Sequence, residues 1–277
     1  MKSVSKMLQA SIACLQDKKL DRPRRLAEEL LAHSLNIKRT DLYLQLERVI
    51  IGDELQQIRS GLQRLVAGEP IEYVLGEIDF YGCRIKVDQR ALIPRLETEV
   101  LVDFMIPRIK KISSAWDLCC GSGCIGIALK KKMPDVNVVL SDLSQEALAL
   151  AKENALLNRV DVQCVEGDLL APFVGMKTDL MIANPPYLSL QEYFSLDPSV
   201  RDFEPKMALV GGRQGTEIYE RLAEEMPLFL NPGAQVFLEI GSTQKEEMQK
   251  IFSSKIWKSE CISDWSGKDR CFFLEIQ

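Results

Sequence analysis

The sequence predicts an α/β protein with a doubly wound, mostly parallel seven-stranded sheet, an antiparallel C-terminal hairpin, and a small all-helical domain in front. Three observations carry this. From about residue 100 to 255, short apolar runs alternate with segments of helical period, the signature of a doubly wound sheet. The last two strand-like runs, Ile256-Trp257 to Asp264 and Arg270 to Ile276, are separated only by Trp265-Ser266-Gly267-Lys268-Asp269. A parallel pair needs a crossover of about a dozen residues or more, so these two are antiparallel. The first 70 residues show helical periodicity and no strand signal.

The elements follow in order. A helix is expected over about 3–16. Asp21 is placed to cap a second helix with Pro23 in its first turn, and Asn36 suits its exit. Leu26, Leu30 and His33 recur at helical spacing on it, and Thr40 or Asp41 starts a short third helix. Leu55, Ile58, Leu62, Leu65 and Val66 form the stripe of a fourth, ended by Gly68 and Pro70. Residues 1–70 are therefore read as a helical docking domain. Within 71–90, Ile78 and Phe80, then Cys83, Ile85 and Val87, alternate about Gly82, which predicts a β-hairpin linker. In the remaining domain, 91–277, strands are expected near 114–118, 136–141, 161–165, 179–183 and 235–240. Helices are expected near 124–133, 144–157, 216–230 and 242–253.

Bulk properties exclude several functions. At 277 residues the chain is comfortable as two domains, on a prior of about 150 residues each. With 46% apolar and 27% charged residues it buries a real core. No run of about 18 apolar residues predicts a membrane helix. Gln9, Ser11, Gln16 and Asp17 interrupt what would be a signal peptide, so a cytoplasmic protein is expected. Residues 1–70 carry 12 Lys and Arg against 9 Asp and Glu, and the rest carries 23 against 31. An acidic main body does not suit a duplex-DNA binder. The eight cysteines lack the paired spacing of a zinc site, and Cys119, Cys120 and Cys124 have no nearby histidine, so no metal is expected. His33, the single histidine, lies far from every other motif, which removes Ser-His-Asp and Cys-His catalysis.

Two stretches carry chemistry. Ser114 to Gly126 reads as strand, glycine-rich turn and helix start, with Gly121, Gly123 and Gly126 in G-x-G-x-x-G spacing. Glycines there let the backbone turn tightly beneath a ligand faced by free N–H groups. Asp142 ends the next strand, about 20 residues on, where a ribose diol is held. A nicotinamide dinucleotide and S-adenosylmethionine both fit. Asp117, just before the turn, repels a pyrophosphate but suits a cationic methionine amine. Asp168 and Leu169, in Glu166-Gly167-Asp168-Leu169, supply an acid and an apolar wall for adenine. The second stretch is Asp179 to Tyr187, a buried strand running into Asn184-Pro185-Pro186-Tyr187. Two prolines fix two φ angles and remove two N–H donors, and Asn184 before Pro185 is biased to extended backbone. A stiff strand end thus presents an amide, free carbonyls and a ring, able to hold a planar NH2-bearing group.

Assembled, these residues resemble a class I S-adenosylmethionine-dependent methyltransferase with an Asn-Pro-Pro-Tyr motif. More narrowly the chain is similar to the HemK/PrmC family, the peptide-chain release factor glutamine methyltransferases. The resemblance rests on Ile93-Pro94-Arg95-Leu96-Glu97-Thr98-Glu99, the Asp117–Gly123 loop, Asp142, Asn184–Tyr187, Phe203-Glu204-Pro205 with Gly211-Gly212, and Leu238-Glu239-Ile240-Gly241. It implies S-adenosylmethionine as cofactor and a release factor as partner, methylated on the side-chain amide nitrogen of the glutamine in Gly-Gly-Gln. It implies cofactor contacts from Asp117, Cys119, Cys120, Gly121, Ser122, Gly123, Asp142, Asp168, Leu169 and Asn184. Asn184, Pro185 and Tyr187 are the expected catalytic residues, with Pro186, Arg95 and Glu204 joining them on the substrate. No direct DNA contact, no membrane and a monomer are expected. Three departures stand out: Cys119 and Cys120 where Gly and Thr are common, Leu96 for a frequent Pro, and Leu169 where some relatives have Trp. The same motif also fits a nucleic-acid exocyclic amine, which is the alternative substrate.

Overall fold

The computed structural model describes residues 2–277, and the chain divides into two compact units. One runs up to Gly76 and takes in Pro198–Phe203; the other comprises Glu77–Asp197 and Glu204–Gln277.

The first unit is built from α1 (Val4–Asp17), α2 (Pro23–Ser34), α3 (Gly52–Val66) and α4 (Ile71–Leu75). Ser3 caps α1, its hydroxyl accepting from the Lys6 N–H. The expected Asp21 cap on α2 is not formed. Arg22 occupies the cap in a left-handed conformation without a side-chain bond, and Pro23 starts the helix with its φ already set. Asn36 does end α2, at φ 52°. The expected third helix is a 3₁₀ turn, Arg39–Leu44, and a two-residue strand pair, Lys2–Ser3 with Val49–Ile50, falls where no strand was expected. Such a pair is too short to leave an alternating pattern. Leu30, Leu31, Leu42, Ile58 and Leu65 are buried at the centre, with Leu55, Leu62 and Val66 packed against them. His33 lies outside this stripe and is exposed.

The second unit carries the sheet. Its strands are β1 (Ser114–Leu118), β2 (Asn137–Asp142), β3 (Gln163–Glu166), β4 (Thr178–Ala183), β5 (Leu230–Glu239), β6 (Trp257–Ser263) and β7 (Asp269–Ile276). They lie in the order β6-β7-β5-β4-β1-β2-β3. The first five run parallel, whereas β7 is antiparallel to both β5 and β6, as the short connection demands. β5 starts five residues earlier than expected, because a register shift between Leu230 and Gln235 spans Pro232-Gly233 and breaks the apolar run. The helix expected over 216–230 is shorter, Glu217–Glu225, with a 3₁₀ turn to Leu228. Strand order reverses between β1 and β4, and in open α/β sheets ligands bind at the carboxyl ends of strands at such a point.

α5 (Leu96–Met105) packs on β5 and β7, and α6 (Cys124–Lys132) and α7 (Gln145–Asn158) on β1, β2 and β3. The hairpin Glu77–Phe80 with Cys83–Lys86 turns through Tyr81 and Gly82, both at positive φ (45° and 77°). That is the two-residue geometry matching strand twist. Its outer strand is held from α7 by two asparagines. Asn154 accepts from the Lys86 N–H (2.7 Å) and donates to the Lys86 carbonyl (3.1 Å). Asn158 does the same at Arg84 (3.2 and 2.6 Å).

Candidate active site

Register decides what meets at the switch point. Leu118 on β1 pairs with Ala183 on β4, so Cys119 and Asn184 leave neighbouring strands at the same level. Above them opens a cavity of about 400 Å³, within the ~300–1,000 Å³ usual for small-molecule sites.

The glycine turn forms its floor. Cys119 sits at φ 53° and Gly123 at φ 78°. The Cys120 N–H donates to the Ser141 carbonyl (3.0 Å), tying the turn to β2. Gly126 is fixed by packing: a Cβ there would lie 2.2 Å from Leu140 Cδ2 and 3.0 Å from Asp117 Oδ2. α6 therefore sits close on the sheet with its first N–H groups near the cavity. Asp142 ends β2 half-buried, its Oδ2 accepting from the Gly121 N–H (2.8 Å) and its Oδ1 from the Ser144 N–H (2.9 Å). Burial raises its carboxyl, while the bonds from Ser144, Gly121 and Leu143 pull the other way. The rigidly held carboxylate keeps free lone pairs toward the cavity, the chemistry a ribose diol needs. Cys119, Cys120, Gly121 and Ser122 line the space with Asp142.

Asp168 and Leu169 also line it. The Asp168 carboxylate takes both guanidinium nitrogens of Arg221 (3.2 and 3.0 Å), and Leu169 sits at φ 49°. Arg221, a cavity residue the sequence did not point to, is thereby held beside the expected adenine wall. Asp117 lies beneath the turn, outside the cavity lining. Its Oδ2 accepts from the Gly126 N–H (2.8 Å), and its buried Oδ1 has no partner among the described residues. Burial pushes this carboxyl up to about 7. Gly123 likewise shapes the turn without lining the space.

Asn184 and Pro186 face the cavity; Pro185 is buried and Tyr187 does not line it. The Tyr187 ring packs on the main core cluster instead, and burial there raises its hydroxyl. Sequence cannot tell which side of the strand end such a ring takes. The segment is braced from behind. Val210–Gly212 pairs parallel with Leu188–Ser189, and a Cβ on Gly211 would lie 2.2 Å from the Pro186 carbonyl oxygen. Gln244 Nε2 donates to the Tyr187 carbonyl (3.0 Å).

Arg95 and Glu204, expected on the substrate, are instead occupied with each other. The Glu204 side chain is fully buried, pairing with Arg95 and accepting from the Ile93 N–H (3.0 Å). A buried carboxylate satisfied by two donors is a clamp between the 93–95 segment and Glu204-Pro205, and neither residue lines the cavity. Two buried polar residues at this strand end, Thr98 and Glu239, are visible in the sequence only inside longer motifs. Asn184 Nδ2 donates to Thr98 Oγ1 (3.4 Å). An acid inside the apolar run Phe237 to Ile240 was the signal for Glu239.

Residues 6–76 match the PrmC N-terminal domain and residues 96–195 the Methyltransferase small domain. The release factor glutamine methyltransferase of Chlamydia trachomatis is 39% identical over 99% of this chain and 94% of its own length. The chain belongs to the release factor glutamine methyltransferase family. Family members so named from Chlorobaculum tepidum share 35% identity over 97% of this chain and 95% of theirs. A methyltransferase of Pyrococcus furiosus shows the same fold, with TM-score 0.55 at 17% identity over 82% of this chain and 98% of its own.

Proposed function

We propose that the protein transfers the methyl group of S-adenosylmethionine to the side-chain amide nitrogen of the glutamine in the Gly-Gly-Gln motif of a peptide-chain release factor. The observation that carries this reading is Asn184 at the cavity wall beside the Asp142 end, with its amide NH2 taken by Thr98. Its carbonyl end is then the one left for a donor. The cradle fits the cofactor. Gly121 leaves open space over the turn, with nothing nearer a Cβ than Ala91 at 3.8 Å. Asp142 offers acceptors for the ribose, and the unpartnered Asp117 Oδ1 is an acceptor at the end where a methionine amine would lie. Bound there, S-adenosylmethionine supplies the sulfonium methyl group.

The residues of the chain supply orientation. A glutamine amide nitrogen is a poor nucleophile because its lone pair is delocalised into the carbonyl. Asn184 Oδ1 and the Pro185 carbonyl accept its two N–H bonds, which turns the lone pair toward the methyl donor. Holding reactants in this way is worth ~7–11 kcal/mol of barrier. Tyr187, packed on the core, stiffens the segment and does not cover the amide in this arrangement. No protein base is required in the aiming step.

The helical unit docks the release factor away from its tip. Leu44 and Ile51 are 84% and 63% exposed on it, and apolar side chains so placed suit a protein partner. Leu44→Asp and Ile51→Asp should raise KM for the release factor with cofactor affinity unchanged; an equal rise in both would remove the docking role. The decisive assay uses labelled S-adenosylmethionine with either a release factor or DNA. The release factor should be labelled, and a Gln→Ala change in its Gly-Gly-Gln loop should abolish the label. Labelled DNA would establish the nucleic-acid alternative instead.

A further inference from the structure

We infer that Glu239 is a positioning residue that sets which end of the Asn184 amide faces the reacting glutamine. This rests on the function proposed above.

The juxtaposition begins with register. β5 pairs Leu238 with Ala183 on β4, so Glu239 and Asn184 follow side by side at the carboxyl ends of parallel neighbours. In parallel strands, residues at equal register point to the same side. On its other flank Glu239 pairs with Cys271 of β7, which fixes the strand from both sides. Thr98, in the first turn of α5 and only 2% exposed, stands with them. Thr98 and Asn184 are the side chains whose hydrogen bonds hold the Glu239 carboxyl down against its burial, and Asn184 in turn donates to Thr98.

Glu239 is otherwise poorly provided for. It is 1% exposed, and its Oε2 has no hydrogen-bond partner among the described residues. Arg270, whose charge acts on it, is engaged with Asp264 (3.2 Å) and lies 3.9 Å from Glu97. An incompletely satisfied buried carboxylate lowers stability compared with a neutral residue of the same shape. Packing alone does not account for it at this position.

Hydrogen-bond direction does. Above about pH 7, to which burial raises it, the Glu239 carboxyl is ionised and only accepts. The Thr98 hydroxyl has a single proton, and with that proton on Glu239 its oxygen is left to accept from Asn184. The chain of donors thus runs one way, from the Asn184 NH2 through Thr98 to Glu239. That direction holds the Asn184 NH2 inward and leaves Oδ1 toward the cavity, as an acceptor for a substrate N–H. A neutral amide in place of Glu239 can donate as well as accept, so the chain can reverse. The reversed chain presents the Asn184 NH2 to the glutamine NH2, donor against donor.

The test uses the full-length protein with Glu239→Gln, Thr98→Val and Thr98→Ser, and three readouts. These, all at pH 8 where Glu239 is ionised, are methylation of a release factor at saturating substrates, calorimetric affinity for S-adenosylmethionine, and thermal unfolding. Glu239→Gln should lower kcat about 10–100-fold, the scale expected of a misaligned reacting group. Its cofactor affinity should be unchanged and its Tm equal to or above that of the wild type. Thr98→Val should lose kcat likewise, and Thr98→Ser, which keeps the hydroxyl, should retain it. Wild-type kcat in Glu239→Gln would overturn the positioning role alone. So would a kcat loss matched by a fall in Tm or in cofactor affinity, which is the pattern of a merely structural residue. Failure of the wild type to label a release factor would overturn the functional reading and, with it, this inference.

Discussion

Replacing Asp142 by Asn tests the cofactor half of the site without changing its shape. Asp142 accepts the Gly121 N–H at 2.8 Å on one oxygen and the Ser144 N–H at 2.9 Å on the other. An asparagine has one carbonyl oxygen for those two donors, and its NH2 must face one of them. The variant therefore gives up one charge-assisted bond within the protein and one to the ribose diol. Hydrogen bonds to charged groups are worth about 1.5–3 kcal/mol each. At about 1.4 kcal/mol per factor of ten, the loss at the ribose weakens S-adenosylmethionine binding roughly 10–140-fold. Removal of a partly buried charge offsets some of the loss within the protein, so Tm should move by only a few degrees, on the order of 2–4 °C per kcal/mol. Isothermal titration with S-adenosylmethionine measures the first effect and scanning calorimetry the second. An Asp142→Asn protein that keeps its fold and wild-type affinity would refute the placement of the ribose on β2.

Three further outcomes follow from the geometry. Gly211→Ala sets a Cβ against the Pro186 carbonyl at 2.2 Å; it should displace the Asn184–Tyr187 segment and lower kcat on a release factor far more than cofactor affinity, and unchanged kcat would show that the segment yields without consequence. Arg95→Ala leaves the buried Glu204 carboxylate without its charge partner and should destabilise the fold by about 3–5 kcal/mol in denaturant unfolding; loss of activity at full stability would return Arg95 to the substrate. The carboxyls of Asp117 and Glu239 are both pushed up to about 7 by burial, so the folded chain keeps two protons that the unfolded chain releases near pH 4. Each group's contribution to stability is therefore fully present below that range and lost as pH rises through 7. Glu239→Gln should flatten the accompanying decline in Tm between about pH 4 and 7, and an unaltered slope would mean Glu239 does not titrate there.

Strand positions were readable to within a residue or two wherever apolar runs were unbroken, as at β1 and β4. β5 was truncated because Pro232-Gly233 masks its first turn of pairing, and the two-residue strands leave no periodicity to read. The glycine turn, Asp142 and Asn184 meet at one cavity, and each is marked in the sequence by residue type at a fixed spacing. Arg95 and Glu204 pair with each other instead of lining the cavity, and sequence does not show this for a different reason. Their charges are visible in the sequence, but that they meet each other across 109 positions is set by the fold. Tyr187 shows the same limit for direction, since Pro185 and Pro186 fix the backbone without saying which side the next ring takes. Glu239 became meaningful only when register set it beside Asn184.

The two asparagines of α7 have a consequence beyond holding the hairpin. Residues four apart on a helix are about 6 Å apart along its axis, and alternate residues on a strand are separated by about 6.5 Å. Asn154 and Asn158 therefore match Lys86 and Arg84 nearly in step, and each side-chain amide reproduces the donor and acceptor of a missing neighbouring strand. An edge left bare would be a template on which another chain could add. Here a helix serves as the counterfeit strand, so the hairpin is shut to recruitment and its amides at Arg84 and Lys86 are shielded from exchange with solvent. Because Asn154 also donates to the Ser122 carbonyl (3.0 Å), the residue that seals the edge is the same one that steadies the floor of the methyl-donor pocket.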